Sequence, residues 1–240
     1  MSAEGIQDRM TEEPSGGSCP LSLRPLFIAL AIAAGTWLVF ERMAVQHPEG
    51  RNGYERSWIE SMRDPLDSAR MIGPALLEES VRDFSALGGY AVVSTTIVAF
   101  SIFGGLRHGR PYVRFFLVTV LGGYGCSMLL KLAFGRERPS VVPHLSHVAT
   151  TSFPSSHAMV SSIVYVSIGL LLAQQICDAR IRRLFVLLPL CLTVLVGFSR
   201  VALGVHYPTD VLAGWTAGLT WSLIAFRLQP VITGNVRFDG

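Results

Sequence analysis

LLKLAFGRERPS, residues Leu129–Ser140, opens as an apolar run and closes as a cluster of cations. Its Lys131 is the only lysine in the chain, against nineteen arginines. Arg138-Pro139 follows seven residues later. An ionisable group at the tail of an apolar run is expensive and points to a function. A lysine that snorkels to a membrane surface is the plain alternative.

The rest of the chain shows what that apolar run belongs to. Half of its 240 residues are hydrophobic and 15% are charged, whereas an ordinary soluble domain carries about 25% charge. Segments of about 20 apolar residues suit a membrane crossing. Six are expected, over Leu21–Phe40, Ala86–Leu106, Val113–Phe134, His157–Ile176, Leu184–Phe198 and Asp210–Phe226. The expected fold is therefore all-α, a polytopic membrane protein built as a six-transmembrane-helix bundle. Residues 1–20 read as a flexible cytoplasmic tail, 21–228 as one membrane domain and 229–240 as a short cytoplasmic tail. Gly122-Gly123 and Gly214…Gly218 predict close helix contacts, which drive association in lipid. The first twenty residues are polar and carry no pattern of a cleavable signal peptide. Cys19, Cys126, Cys177 and Cys191 have neither metal nor redox spacing and read as small apolar fillers.

Charge placement orients the bundle. Arg107, Arg110 and Arg114 lie between the second and third spans, and Arg180, Arg182 and Arg183 between the fourth and fifth. Arg24 precedes the first span and Arg227 follows the sixth. The positive-inside rule puts these loops and both termini in the cytoplasm. The basic runs are short and flank apolar spans, so no nucleic-acid partner is expected. The outer loops are then Glu41–Ser85, Gly135–Ser156 and the SRVALGVHYPTD link. In the first of these, Ile72, Leu76 and Leu77 have the spacing of an amphipathic helix lying in the membrane interface. A simple ectoloop is the alternative.

The polar residues at the outer span ends form a coherent set. Lys131, Arg136 and Arg138 close the third span. Ser155, Ser156 and His157 open the fourth, and Ser199, Arg200, His206 and Asp210 bridge the last two. Three cations, two histidines and one aspartate make a composition for a dense anion, with Arg136 placed at the rim. In FPSSHAMV, a helix begins at the serines, and the N–H groups of a helix start bind phosphate. An ordinary serine cap is the plainer reading. In HYPTD, His206 and Asp210 are four apart and can meet. An aspartate on one imidazole nitrogen leaves the other free to attack; a purely structural pair is the alternative. Arg200 supplies a planar fork for phosphate oxygens.

Read in order, Lys131-x6-Arg138-Pro139, Pro154-Ser155-Ser156-His157 and Ser199-Arg200-x5-His206-x3-Asp210 resemble the three-part signature of the type 2 phosphatidic acid phosphatase superfamily, its membrane lipid phosphatase branch. One position departs, since Ser156 stands where the family has glycine.

The resemblance implies roles. His206 would attack phosphorus and form a phosphohistidine, with Asp210 orienting it. His157 would protonate the leaving oxygen and then activate water. Lys131, Arg138, Arg200, Ser155 and the Ser156 backbone N–H would hold the phosphate oxygens. No metal or other cofactor is expected, because fixed cations do the neutralising. The expected partners are the membrane and a lipid phosphate substrate, undecaprenyl diphosphate first. Phosphatidylglycerophosphate, phosphatidate and lipid A phosphate are alternatives. The expected location is a bacterial inner membrane, with the site on the outer face. Six apolar spans argue against the family's soluble vanadate-binding haloperoxidases. A transporter that binds lipid phosphates without cleaving them is the rival from another class.

Overall fold

In the computed structural model, residues 31, 35, 48–146 and 150–233 are described. The expected first span, Leu21–Phe40, lies outside them except for Ala31 and Gly35. Among the described residues the chain is helical, apart from an isolated bridge pairing Arg63 with Met71. The helices are α1 (Pro48–Ser61), α2 (Ala75–Ala86), α3 (Tyr90–His108), α4 (Arg110–Phe134), α5 (Ser156–Ala173), α6 (Ala179–Ala202) and α7 (Pro208–Thr233). The last five are long and apolar enough to cross a membrane. They match the expected second to sixth spans in order, and the chain is a multi-pass membrane protein.

The boundaries follow local chemistry. Gly88 and Gly89 separate α2 from α3, so the second span begins at Tyr90 rather than Ala86. Gly88 is packed so closely that an added Cβ would stand 2.5 Å from Val196 and 3.2 Å from the His157 ring. Pro111 starts α4, and Gly135 ends it in the left-handed region at φ 54°. Asp178 caps α6 by accepting from the Arg180 N–H at 2.7 Å. The last helix runs to Thr233, past the expected span end at Phe226.

α5 is the hub. It packs on α6, α7 and α4, while α2 packs on α6 and α3 on α4. Its burial has a sequence cause, because Ala158, Ser161, Ser162 and Gly169 keep its surface narrow. A core of Tyr112, Phe115, Phe116, Ile163, Leu170 and Phe226 fills the space beside it. The glycine pairs do what their spacing predicts. A Cβ on Gly214 would stand 2.7 Å from the Ser155 carbonyl oxygen, and one on Gly218 2.5 Å from that of Met159. Backbone cannot retreat as a side chain can, so Gly218→Val should destabilise the bundle by about 1–3 kcal/mol. Thermal unfolding in detergent measures this, and an unchanged transition would mean that α7 does not sit this close to α5.

These contacts align the helix ends. The last turns of α4 and α6 and the first turns of α5 and α7 meet at one end of the bundle. Arg107, Arg110, Arg114, Arg180, Arg182 and Arg183 lie at the other.

Candidate active site

The meeting end gathers the signature residues. Asp210, in the first turn of α7, is fully buried. Its Oδ1 accepts from Arg136 Nη1 at 2.6 Å. Its Oδ2 accepts from the Ser152 hydroxyl and from the Tyr207 N–H at 2.9 Å. His206 Nδ1 stands 3.5 Å from that same oxygen and 3.4 Å from Ser152 Oγ. The other nitrogen, Nε2, lies 3.1 Å from Arg138 Nη1. A guanidinium can only donate, so Nε2 carries the lone pair and Nδ1 the proton. The spacing in HYPTD thus does bring ring and carboxylate together.

His206 is 1% exposed. Burial pushes its pKa down to about 4; the Asp210 carboxylate resists this and the neighbouring Arg138 adds to it. The ordinary value is 6.5, so the ring stays neutral through the intervening range and gains a proton only as pH falls through about 4. Nitrogen-15 histidine NMR in micelles, assigned with His206→Gln, should show a neutral ring protonated on Nδ1 alone at pH 5.5. A doubly protonated ring there would refute the assignment.

The cations end on neutral partners. Lys131 Nζ donates to the Thr151 carbonyl at 2.6 Å. Arg138 donates to the Thr150 and Val205 carbonyls, each at 2.7 Å. Arg200, 2% exposed, donates to Ser85 Oγ at 2.6 Å. Its Nε is buried with no hydrogen-bond partner, as is Ser155 Oγ. Ser155 opens α5 but makes no side-chain cap, so the first N–H groups of the helix keep their hydrogen-bonding capacity. Ser156 is the first helical residue, where serine is as admissible as glycine, and its hydroxyl lies 3.4 Å from that of Ser127. The departure from the family pattern therefore needs no unusual backbone.

His157 stands where two cavities meet. One has a half-polar lining, is about 550 Å³, and is lined by Arg82, Ser85, His144, Ser146, His157 and Arg200 together with Ala86, Gly89, Leu145 and Leu203. The second is almost wholly apolar, about 120 Å³, and lies between α3, α4 and α5.

Arg136 corrects an expectation. It is not at the rim but bridges Asp210 to Glu55, donating from Nη2 to Glu55 Oε2 at 2.7 Å. Its guanidinium also lies 4.2 Å from the centre of the Tyr207 ring. Glu55, on α1, is fully buried and accepts from the Thr209 hydroxyl. Sequence reading missed Glu55, Ser152 and Thr209 altogether. For Arg136 a signal existed, since positions two apart in an extended chain share a side.

These features define a membrane-embedded helical domain with a cluster of cations, histidines and a buried aspartate at one end. Residues 111–233 match the PAP2 superfamily, and the chain belongs to that family. Phosphatidylglycerophosphatase B of Bacillus subtilis (strain 168) is 39% identical over 92 residues, which is 38% of this chain and 45% of that one. Lipid A 1-phosphatase of Rhizobium johnstonii is 34% identical over 118 residues, 45% of this chain and 44% of that one. The matches thus span under half the length of these two relatives. Undecaprenyl-diphosphatase BcrC of Bacillus subtilis is 28% identical over 148 residues, 60% of this chain and 72% of that one. The crystal structure of a transmembrane PAP2 type phosphatidylglycerolphosphate phosphatase from Bacillus subtilis superposes with a TM-score of 0.73. It is 23% identical, and the match covers 88% of this chain and 98% of that one. That likeness concerns the fold.

Proposed function

We propose that this end of the bundle hydrolyses a phosphomonoester or diphosphate of a membrane lipid through a phosphohistidine, without a metal. One observation carries the reading. Two buried polar atoms without partners, Arg200 Nε and Ser155 Oγ, belong to a cluster in which a neutral imidazole turns its lone pair toward Arg138. A tetrahedral anion completes all of these groups at once.

His206 Nε2 attacks phosphorus as the bond to the leaving oxygen breaks. His157 gives that oxygen a proton. Asp210 holds the Nδ1 proton and stabilises the charge that grows on the ring. Lys131, Arg138, Arg200, Ser155 and the Ser156 N–H take the phosphate oxygens, with Arg138 releasing Nε2 as it does so. Water then attacks the phosphohistidine, gives a proton to His157 and restores His206.

A site at the end of spanning helices suits a phosphate head on a lipid tail. Undecaprenyl diphosphate is the first substrate proposed. Phosphatidylglycerophosphate, phosphatidate and lipid A phosphate follow. The arginines at the opposite end support a cytoplasmic side there, hence cytoplasmic termini and a site on the outer face of a bacterial inner membrane. Leu21–Phe40 would complete six spans within the 21–228 domain. Exposed Trp58, Leu76 and Leu77, with Ile72 just ahead of α2, support an interfacial position for α1 and α2.

The test is phosphate release by purified protein in detergent with EDTA present, over those four lipids. Metal-independent release that His206→Ala removes supports hydrolysis. Binding without release from any lipid, in folded protein, would instead favour a transporter.

A further inference from the structure

We propose that the polar cavity beside His157 receives a second phosphate, carried by the leaving group. The proposal rests on the lipid phosphatase reading above and concerns residues outside the three-part signature.

In an in-line displacement the leaving oxygen lies opposite the attacking nitrogen, on the side of its proton donor. The leaving group therefore departs toward His157, and both cavities are lined by His157. The apolar one, walled by Val93, Ile97, Val120, Leu121 and Val160, suits the start of an alkyl chain. Apart from its His157 and Ser156 end, it offers almost only apolar surface. The polar one is more than four times larger by the volumes above and suits an anion. Arg82 and Arg200 line it, together with Ser85, His144 and Ser146, and none of its lining residues is acidic.

Arg82 is fixed in place. Its Nη1 donates to the Leu145 carbonyl at 2.8 Å and its Nη2 to Glu78 Oε1 at 2.8 Å. Its side chain is 48% exposed, so Glu78 screens it only weakly. His144 is anchored on the same wall by Nε2, which donates to the Pro139 carbonyl at 2.6 Å. Arg200 belongs to both the reacting cluster and this cavity. A guanidinium shared in this way can bridge two phosphates.

A leaving group that carries phosphate has two sources. In a lipid diphosphate the second phosphate is joined directly to the first, and in phosphatidylglycerophosphate a glycerol separates them. Phosphatidate and undecaprenyl monophosphate leave as neutral alcohols and have nothing for Arg82. The cavity therefore favours the first pair over the second.

The experiment measures kcat/KM for undecaprenyl diphosphate against undecaprenyl monophosphate, and for phosphatidylglycerophosphate against phosphatidate. In Arg82→Gln at least one ratio should fall about tenfold, mainly through KM, the size of one charge-assisted hydrogen bond. The pair that responds identifies the spacing between the phosphates. Glu78→Gln, which frees Arg82 of its carboxylate, should hold or raise that ratio. Equal losses on all four substrates, or none, would overturn the subsite and leave the hydrolase reading standing. No release from any substrate by the unaltered protein would overturn both. If Arg82→Gln does not fold, inhibition of the unaltered protein decides. Pyrophosphate should inhibit more strongly than phosphate, and equal inhibition would overturn the subsite.

Discussion

With His206 as the proposed nucleophile, His206→Ala should reduce phosphate release by at least about 10³-fold in kcat/KM, since a covalent nucleophile has no substitute within reach. Lys131, Arg138 and Arg200 stay in place, so lipid phosphate should still bind. The loss should therefore appear in kcat more than in KM. With Asp210 orienting the His206 ring as proposed, the Asp210→Asn change should add little on top of His206→Ala. Alone, Asp210→Asn should itself be severe, because the amide no longer accepts from both Arg136 and the ring proton. The measurement is phosphate release on the best of the four lipids, with size-exclusion and thermal profiles showing that each variant is folded. Release within tenfold of the unaltered protein would remove His206 as nucleophile, and His157 would be the next residue to test.

Arg136→Ala should have the largest effect on stability, about 3–5 kcal/mol. It removes the guanidinium between Glu55 and Asp210, both fully buried, and leaves two carboxylates without their cation. Taking the cation from one buried carboxylate is costly, and here two lose it. Activity should fall as well, because Asp210 loses the donor on Oδ1 and the ring loses its fixed partner. Arg136→Lys keeps a charge but reaches one carboxylate only, so it should recover part of the stability. Adding Glu55→Gln to Arg136→Ala should also recover part, since one of the two buried carboxylates is then neutral. Unfolding in detergent by heat or denaturant checks each variant. A loss below about 1 kcal/mol would mean that water replaces the guanidinium, and the bridge would then count as a surface pair.

Most of the candidate site could be read from the chain. Lys131, Arg138, Ser155, His157, Arg200, His206 and Asp210 stand at span ends in an order and spacing that leave few other arrangements. The apolar runs were equally legible, because lipid imposes a length on every crossing helix. What escaped was the support beneath the site. Glu55 sits in a polar helix, α1, among arginines and other acids, and nothing local marks it out. Its partner Thr209 is 154 residues away. Ser152 looked like one polar residue in a loop rich in them. Yet Thr150, Thr151 and Ser152 serve Arg138, Lys131 and Asp210 in turn. Long-range pairing leaves no periodicity, so only folded geometry discloses it. The start of α3 was misjudged for a related reason, since Ala86 is apolar but Gly88 and Gly89 break the helix.

The bridge from α1 to α7 also sets an order of assembly. Glu55 leaves the ribosome long before Thr209 and Asp210, and Ser85 precedes its partner Arg200 by 115 residues. Until the last helix enters the membrane, Arg136 lacks Asp210 and Thr209, and His206 has no aspartate. A chain halted before α7 lacks Asp210, so on the proposed mechanism it should be inert. Contacts of such span close slowly, so the final insertion step, rather than the start of synthesis, marks when the protein becomes competent.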